Sequence, residues 1–205
     1  MITQTEELWK EIFKSDFEAK VISNNDDTLH FTFGNKNGSH HYFMDFIVVN
    51  DGRLIISGDL EYAIADWHGK LTPRNMAKLM DDCWYFTEKI ETSTVKYEYI
   101  DEYIIDDIEE WFEQVRPYKN EYEEKKDLYE LLNYVAANHL CSDEPIVFDD
   151  EHVSIIEKYY VTDDINYDLA RIWGRRIAKK VKLWCIGFIE AINQLDEKGE
   201  LKNWQ

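Results

Sequence analysis

The sequence predicts an α+β fold, with an N-terminal antiparallel β-meander of four to five strands followed by a mostly helical, acidic C-terminal half. Three observations carry that expectation. Residues 18–58 divide into runs rich in β-branched and aromatic side chains, separated by polar clusters. Beyond residue 72, apolar residues recur at intervals of three and four. Charge is segregated, with residues 98–168 holding 22 acids against 5 bases in a chain whose net charge is −19. At 205 residues, 44% hydrophobic and 15% aromatic, the chain reads as a single domain, 1–205. Within it, 1–70 would be a helix plus the meander and 71–205 a helical part packing on the sheet.

The elements follow in order. Thr3-x-x-Glu6 reads as a capping box, and Leu8, Trp9, Ile12 and Phe13 continue at helical spacing, so a short helix opens the chain. Clusters at Asn24-Asn25-Asp26-Asp27, 34–38 and Asn50-Asp51-Gly52 bound the strands. Asp51-Gly52 is a two-residue hairpin signal that would pair Asn50 with Arg53. With Phe33 facing Ser39, the core face would collect Leu29, Phe31, Phe33, His41, Phe43, Asp45, Ile47, Val49, Leu54, Ile56 and Gly58. Met44, Phe46, Val48 and Asp59 would face the other way. A fifth strand is expected near 62–67, and Thr72-Pro73 opens a helix to about residue 90. Ile100, Ile104, Ile108, Trp111 and Val115 form one helical stripe ended by Pro117, and a second helix covers 122–140. Residues 153–161 fit strand or helix, and a last helix is expected over 165–195.

Several function classes are disfavoured. The three cysteines, Cys83, Cys141 and Cys185, lack CxxC spacing and suggest neither a disulfide framework nor a zinc knuckle. The N-terminus lacks the positive charge and apolar run of a signal peptide, and 183–192 is too short to cross a membrane. A cytoplasmic protein without a membrane partner is the expectation. No GxSxG elbow, GxxxxGK[ST] loop or GxGxxG run occurs, and no pair among His30, His40, His41, His68, His139 and His152 has a local metal-binding spacing. We therefore expect no metal, no cofactor and a non-enzymatic role.

Two candidate sites remain. Asp45, placed on the expected core face opposite Gly58, is a candidate buried site acid; Asp59 nearby would point to the other face, so the two form no dyad. A small-molecule or nucleotide site, even an enzyme, around Asp45 and Asp59 is one alternative, and a virion or assembly component is another. The second candidate is the acidic surface formed by Asp101, Glu102, Asp106, Asp107, Glu109, Glu110, Glu113, Glu123 and Glu124. It is interleaved with aromatics such as Tyr103 and Trp111. It reads either as a solvated face that confers solubility or as a row of carboxylates imitating phosphates. Such a surface repels nucleic acid, so its partner would be a protein with a cationic groove, a nucleic-acid-binding effector or nuclease. The basic run Arg171, Arg175, Arg176, Lys179, Lys180 and Lys182 on the last helix reads either as an exposed nucleic-acid or phosphate patch or as the internal counterpart of the acidic block, and the second reading is favoured because the acids outnumber it.

Several strings occur together: Tyr42-Phe43-x-Asp45-Phe46, Gly52-x-Leu54-x-Ile56-x-Gly58-Asp59, Trp84-Tyr85-Phe86-x-Glu88-Lys89-Ile90, and Leu183-Trp184-Cys185 with Ala191-Ile192. In combination they resemble a family of small accessory proteins of phages and prophages. Phe43 stands where that pattern has tryptophan, and Asn50-Asp51-Gly52 replaces its Trp-Pro turn. The resemblance implies no reaction. It implies a viral gene acting on host or defence machinery in the cytoplasm of an infected bacterium, in the manner of an anti-CRISPR inhibitor.

Overall fold

A computed structural model describes residues 4–39, 41–93, 96–115, 121–138, 144–159 and 172–204. The architecture is α+β, and the chain forms two compact units. One combines Met1–Lys96 with Ile177–Gln205; the other is Tyr97–Arg176. Each has its own core.

The first unit is built on a six-stranded antiparallel sheet in the order β1 (Phe17–Asn24), β2 (Thr28–Asn35), β3 (Met44–Val49), β4 (Arg53–Gly58), β5 (Ala63–Asp66) and β6 (Ile90–Ser93). The sixth strand, unforeseen in the sequence, returns after two helices to pair with β5. Among the described residues this unit holds the helices α1 (Gln4–Asp16), α2 (Pro73–Met80), α3 (Cys83–Lys89) and α7 (Lys179–Glu197). Thr72 caps α2 as expected, but the helix stops at Asp81 because Asp82 turns extended and accepts the Tyr85 N–H to start α3. Phe31, Phe46 and Phe188 pack together at the centre, with Phe188 edge-on to Phe46, and Gly187 lets α7 approach so closely that a Cβ there would stand 2.4 Å from Cε of Met44.

The register of β3 differs from the expectation by one residue. Val49, not Asn50, pairs with Arg53, so Asn50, Asp51 and Gly52 form a three-residue turn. Gly52 takes a left-handed φ of +95°, and its N–H bonds to the Val49 carbonyl. On the other side Phe33 pairs with Met44, not Ser39, because the β2–β3 loop is longer than two strands of matched length require. The slip turns the whole strand over. Met44, Phe46 and Val48 join Leu29, Phe31, Phe33, Leu54 and Ile56 in the core, while Asp45, Ile47 and Val49 lie half-buried on the outer face.

The second unit contains β7 (Tyr97–Tyr99), α4 (Asp101–Val115), α5 (Glu121–Asn138) and α6 (Asp150–Glu157), and β7 forms a two-stranded ribbon with β8 (Arg175–Ile177), whose last residue is counted with the first unit. Its core joins Ile104, Ile108 and Trp111 of α4 to Leu131 and Val135 of α5 and to Ile155, Tyr159 and Trp173. Of the ambiguous residues 153–161, those up to Glu157 are helical, with Asp149 as N-cap of α6. Of the last helix expected over 165–195, residues 165–171 lie outside the described residues, Ile172–Gly174 turn, Arg175–Ile177 are strand, and α7 runs from Lys179. Within the sheet unit α7 packs on β1, β2 and β3, α3 packs on β5 and β6, and α2 packs on α7 and α3, while 97–176 surrounds a core of its own.

Candidate functional site

The acidic surface is set by the geometry of α4. With 3.6 residues per turn, Ile104, Ile108 and Trp111 face the core, which leaves Glu102, Asp106, Glu109 and Glu113 in one row on the outside, spaced by four, three and four residues. All four are exposed, and among the described residues none of the four makes an ion pair. Glu110 stands beside the row, exposed, accepting a bond from Gln114 Nε2 at 3.4 Å. The row extends about 16 Å at 1.5 Å per residue. No lysine or arginine occurs anywhere in α4, so neighbouring carboxylates at helical contact distance repel one another without relief.

Two of the expected members do not belong to this surface. Asp107 is flanked by Ile104, Ile108 and Trp111 on the inner side of α4, where its Oδ2 accepts the Gly174 N–H at 2.6 Å and Arg176 bonds to both oxygens at 3.2 and 3.3 Å. Glu124 is buried, because it precedes Leu131 by seven residues and shares its stripe on α5. Glu123 is exposed but neighbours Lys125 and Lys126, so α5 does not extend an unbroken anionic row. Asp101 opens α4, and its side chain lies outside the described residues.

Asp127 was not anticipated. Buried four residues before Leu131, it accepts the Tyr159 hydroxyl at 2.9 Å and lies 3.4 Å from Lys158 Nζ. Burial, and then the bond to Asp127, pushes the Tyr159 phenol far above its ordinary range.

Asp45 and Asp59 are not buried site acids. The register slip puts Asp45 on the outer face, half-exposed, with Oδ1 2.8 Å from His30 Nε2 and Oδ2 accepting the Ser57 hydroxyl at 3.4 Å. His30 pairs with Ile47 and Ser57 with Asp45, so both are cross-strand neighbours of the acid. The carboxylate sits between serine and histidine, an order that leaves the histidine without contact to the hydroxyl and so no activated nucleophile. Asp59 is exposed and accepts the Phe43 N–H at 3.3 Å. His41 is a loop residue; His40, His139 and Cys141 lie outside the described residues.

The bases of the expected last helix are dispersed over strand and helix. Arg176 pairs with Asp107 and covers the Tyr103 ring, and Arg175 covers Tyr97. Lys180 meets Glu61 at 2.6 Å and Lys182 meets Glu6 at 3.0 Å, acids outside the 98–168 stretch; Lys179 lies over Trp9. Arg171 lies outside the described residues.

Among the described residues, Asp66, His68 and Glu91 alone bring three candidate metal-ligand atoms within 4.8 Å of one another. Asp66 is already engaged there: the His68 N–H at 2.6 Å holds its carboxyl below the usual range, and Arg53 Nε lies 3.5 Å away. No described helix is long and apolar enough to cross a membrane. Comparison with protein-family models, curated proteins and solved structures gives no match.

Proposed function

We propose that this protein is a binding protein whose outer α4 face docks into a cationic groove on a partner that normally takes a nucleic-acid backbone. The observation that supports this is the carboxylate row Glu102, Asp106, Glu109 and Glu113, exposed and without ion pairs among the described residues. A face that served solubility alone would gain from interleaved lysines, since i,i+4 pairs of opposite sign stabilise a helix and like pairs destabilise it by about 0.2–0.5 kcal/mol each. The row forgoes that gain. A partner rich in lysine or arginine would supply the missing countercharge and release the repulsion on binding.

The resemblance of residues 42–59 and 84–90 to phage accessory proteins guides the choice of target. We take it to be a nucleic-acid-binding effector or nuclease of the host or its defence systems, blocked in the cytoplasm of the infected cell. The surface repels nucleic acid and would not bind it directly. Asp45 supports a small-molecule reading less well, since its oxygens are already committed to His30 and Ser57.

The test is affinity capture from a bacterial lysate treated with nuclease, comparing the wild type with a variant carrying Glu102→Lys, Asp106→Lys, Glu109→Lys and Glu113→Lys. The expected wild-type catch is a nucleic-acid-binding protein that added duplex DNA displaces and salt releases, and that the variant does not retain. Equal capture by both proteins, or a catch indifferent to DNA, would overturn the proposal.

A further inference from the structure

Cys83 and Cys185, 102 positions apart in the chain, have their sulfurs 3.3 Å from one another. Cys83 is the first residue of α3 and is half-buried; Cys185 lies on the buried face of α7. Both line a cavity of about 420 Å³ whose apolar lining includes Met80, Ile186 and Ile189 and whose charged lining mixes lysines, such as Lys10 and Lys14 of α1, with carboxylates, such as Glu11 and Glu190. One thiol of the pair is therefore reachable from solvent through a recess large enough for a small molecule, while its partner is held behind it. Among the described residues no third His, Cys, Asp or Glu atom completes a metal-binding group with the two sulfurs, so the pair stands as a dithiol.

We propose that Cys83 and Cys185 are a thiol–disulfide exchange site, reached through this cavity by a small disulfide of the glutathione type, and that oxidation joins α3 to α7. In the first step the Cys83 thiolate attacks one sulfur of the small disulfide and breaks its S–S bond. A mixed disulfide forms, and the departing thiolate takes up the proton that Cys83 lost. Cys185 then attacks the Cys83 sulfur and expels the second small thiolate, which receives the Cys185 proton. Two protein thiols are oxidised and one small disulfide is reduced to two thiols. The order follows from exposure: burial, and then the contact with Cys83, raises the Cys185 thiol and keeps it protonated, which suits the resolving rather than the entering position. Closing from 3.3 Å to a bond of about 2.05 Å asks for little more than a side-chain rotation.

The proposal concerns the sheet unit and stands independently of α4. Full-length protein is incubated under native conditions in glutathione buffers of graded redox poise. It is then denatured, blocked with N-ethylmaleimide and examined by intact mass and peptide mapping. The expected result is a fall from three maleimides to one, a linked Cys83–Cys185 peptide, and a melting temperature raised by roughly 10 °C over the reduced protein. Cys83→Ser should abolish the linked peptide and the thermal shift. Cys185→Ser should instead leave glutathione trapped on Cys83, a readout that does not require both cysteines. Three maleimides after oxidation, disulfides confined to Cys141, or no adduct on Cys83 in folded Cys185→Ser would overturn the assignment.

Discussion

Asp107 lies within the acidic stretch yet serves as an internal anchor, receiving the Gly174 N–H at 2.6 Å and the guanidinium of Arg176 across two bonds. It ties α4 to the chain segment that leads into β8. Asp107→Ala should cost about 2–3 kcal/mol, because it leaves a charged donor and a backbone N–H without their acceptor. Asp106→Ala, one residue away on the exposed row, should change stability little. Urea unfolding followed by tryptophan fluorescence, with Trp111 and Trp173 as reporters in this core, measures both.

Glu109 has carboxylate neighbours at Asp106 and Glu113. Glu109→Lys converts two repulsions into attractions and should raise the thermal midpoint by about a degree or two at low salt. The gain should shrink in high salt as screening weakens both terms. Melting curves at the two ionic strengths provide the check. If the row serves a partner, the same substitution weakens capture while strengthening the fold.

The outward position of Asp45 predicts a specific ranking. Asp45→Asn should cost less than about 1 kcal/mol, since it alters a half-exposed bond to His30. Phe46→Ala, its neighbour on the core face, should cost about 3–5 kcal/mol. Equilibrium denaturation of the two variants side by side tests the register, and a reversed ranking would refute it.

Gly52 has no room for a side chain: a Cβ there would lie 1.9 Å from the Gly69 carbonyl oxygen, and its φ is +95°. Gly52→Ala should therefore cost more than about 2 kcal/mol. Denaturation should show the loss, and exchange of the β3–β4 amides should accelerate with it.

Tyr159 should make the stability of its unit fall at alkaline pH. Its folded pKa is raised by burial and by Asp127, so the fold favours the neutral phenol. That contribution is fully present below the ordinary tyrosine value of about 10 and is lost as pH climbs beyond it. Tyr159→Phe should cost about 1–3 kcal/mol at neutral pH. The gap between variant and wild type should narrow above pH 10 in denaturation series.

Much of this fold was legible in the sequence because periodicity reports burial directly. Leu29, Phe31 and Phe33 alternate cleanly with polar residues, and Ile104, Ile108 and Trp111 mark the inner side of α4. The third strand was not legible in the same way. Phe43, Ile47 and Val49 make as good an apolar series as Met44, Phe46 and Val48, so only the turn could decide the register. The Asp51-Gly52 pair favoured the wrong turn length. Asp45, the one charge in that strand, was itself the better signal that its side faces water. For the carboxylates, the missing step was arithmetic: Asp107 and Glu124 stand at helical offsets from core residues and could have been assigned inward. The contacts of His30 with Asp45 and of Cys83 with Cys185 depend on strand register and on long-range packing, which no local pattern encodes.

The Lys96 carbonyl accepts the Ala178 N–H at 3.1 Å, so the sheet unit brings together the two points where the intervening 97–176 segment departs and returns. In engineering terms that segment is a cassette with its ends already clasped. A short hairpin linker could replace it without cutting the ladder of the six-stranded sheet, and a differently charged insert could be exchanged for it.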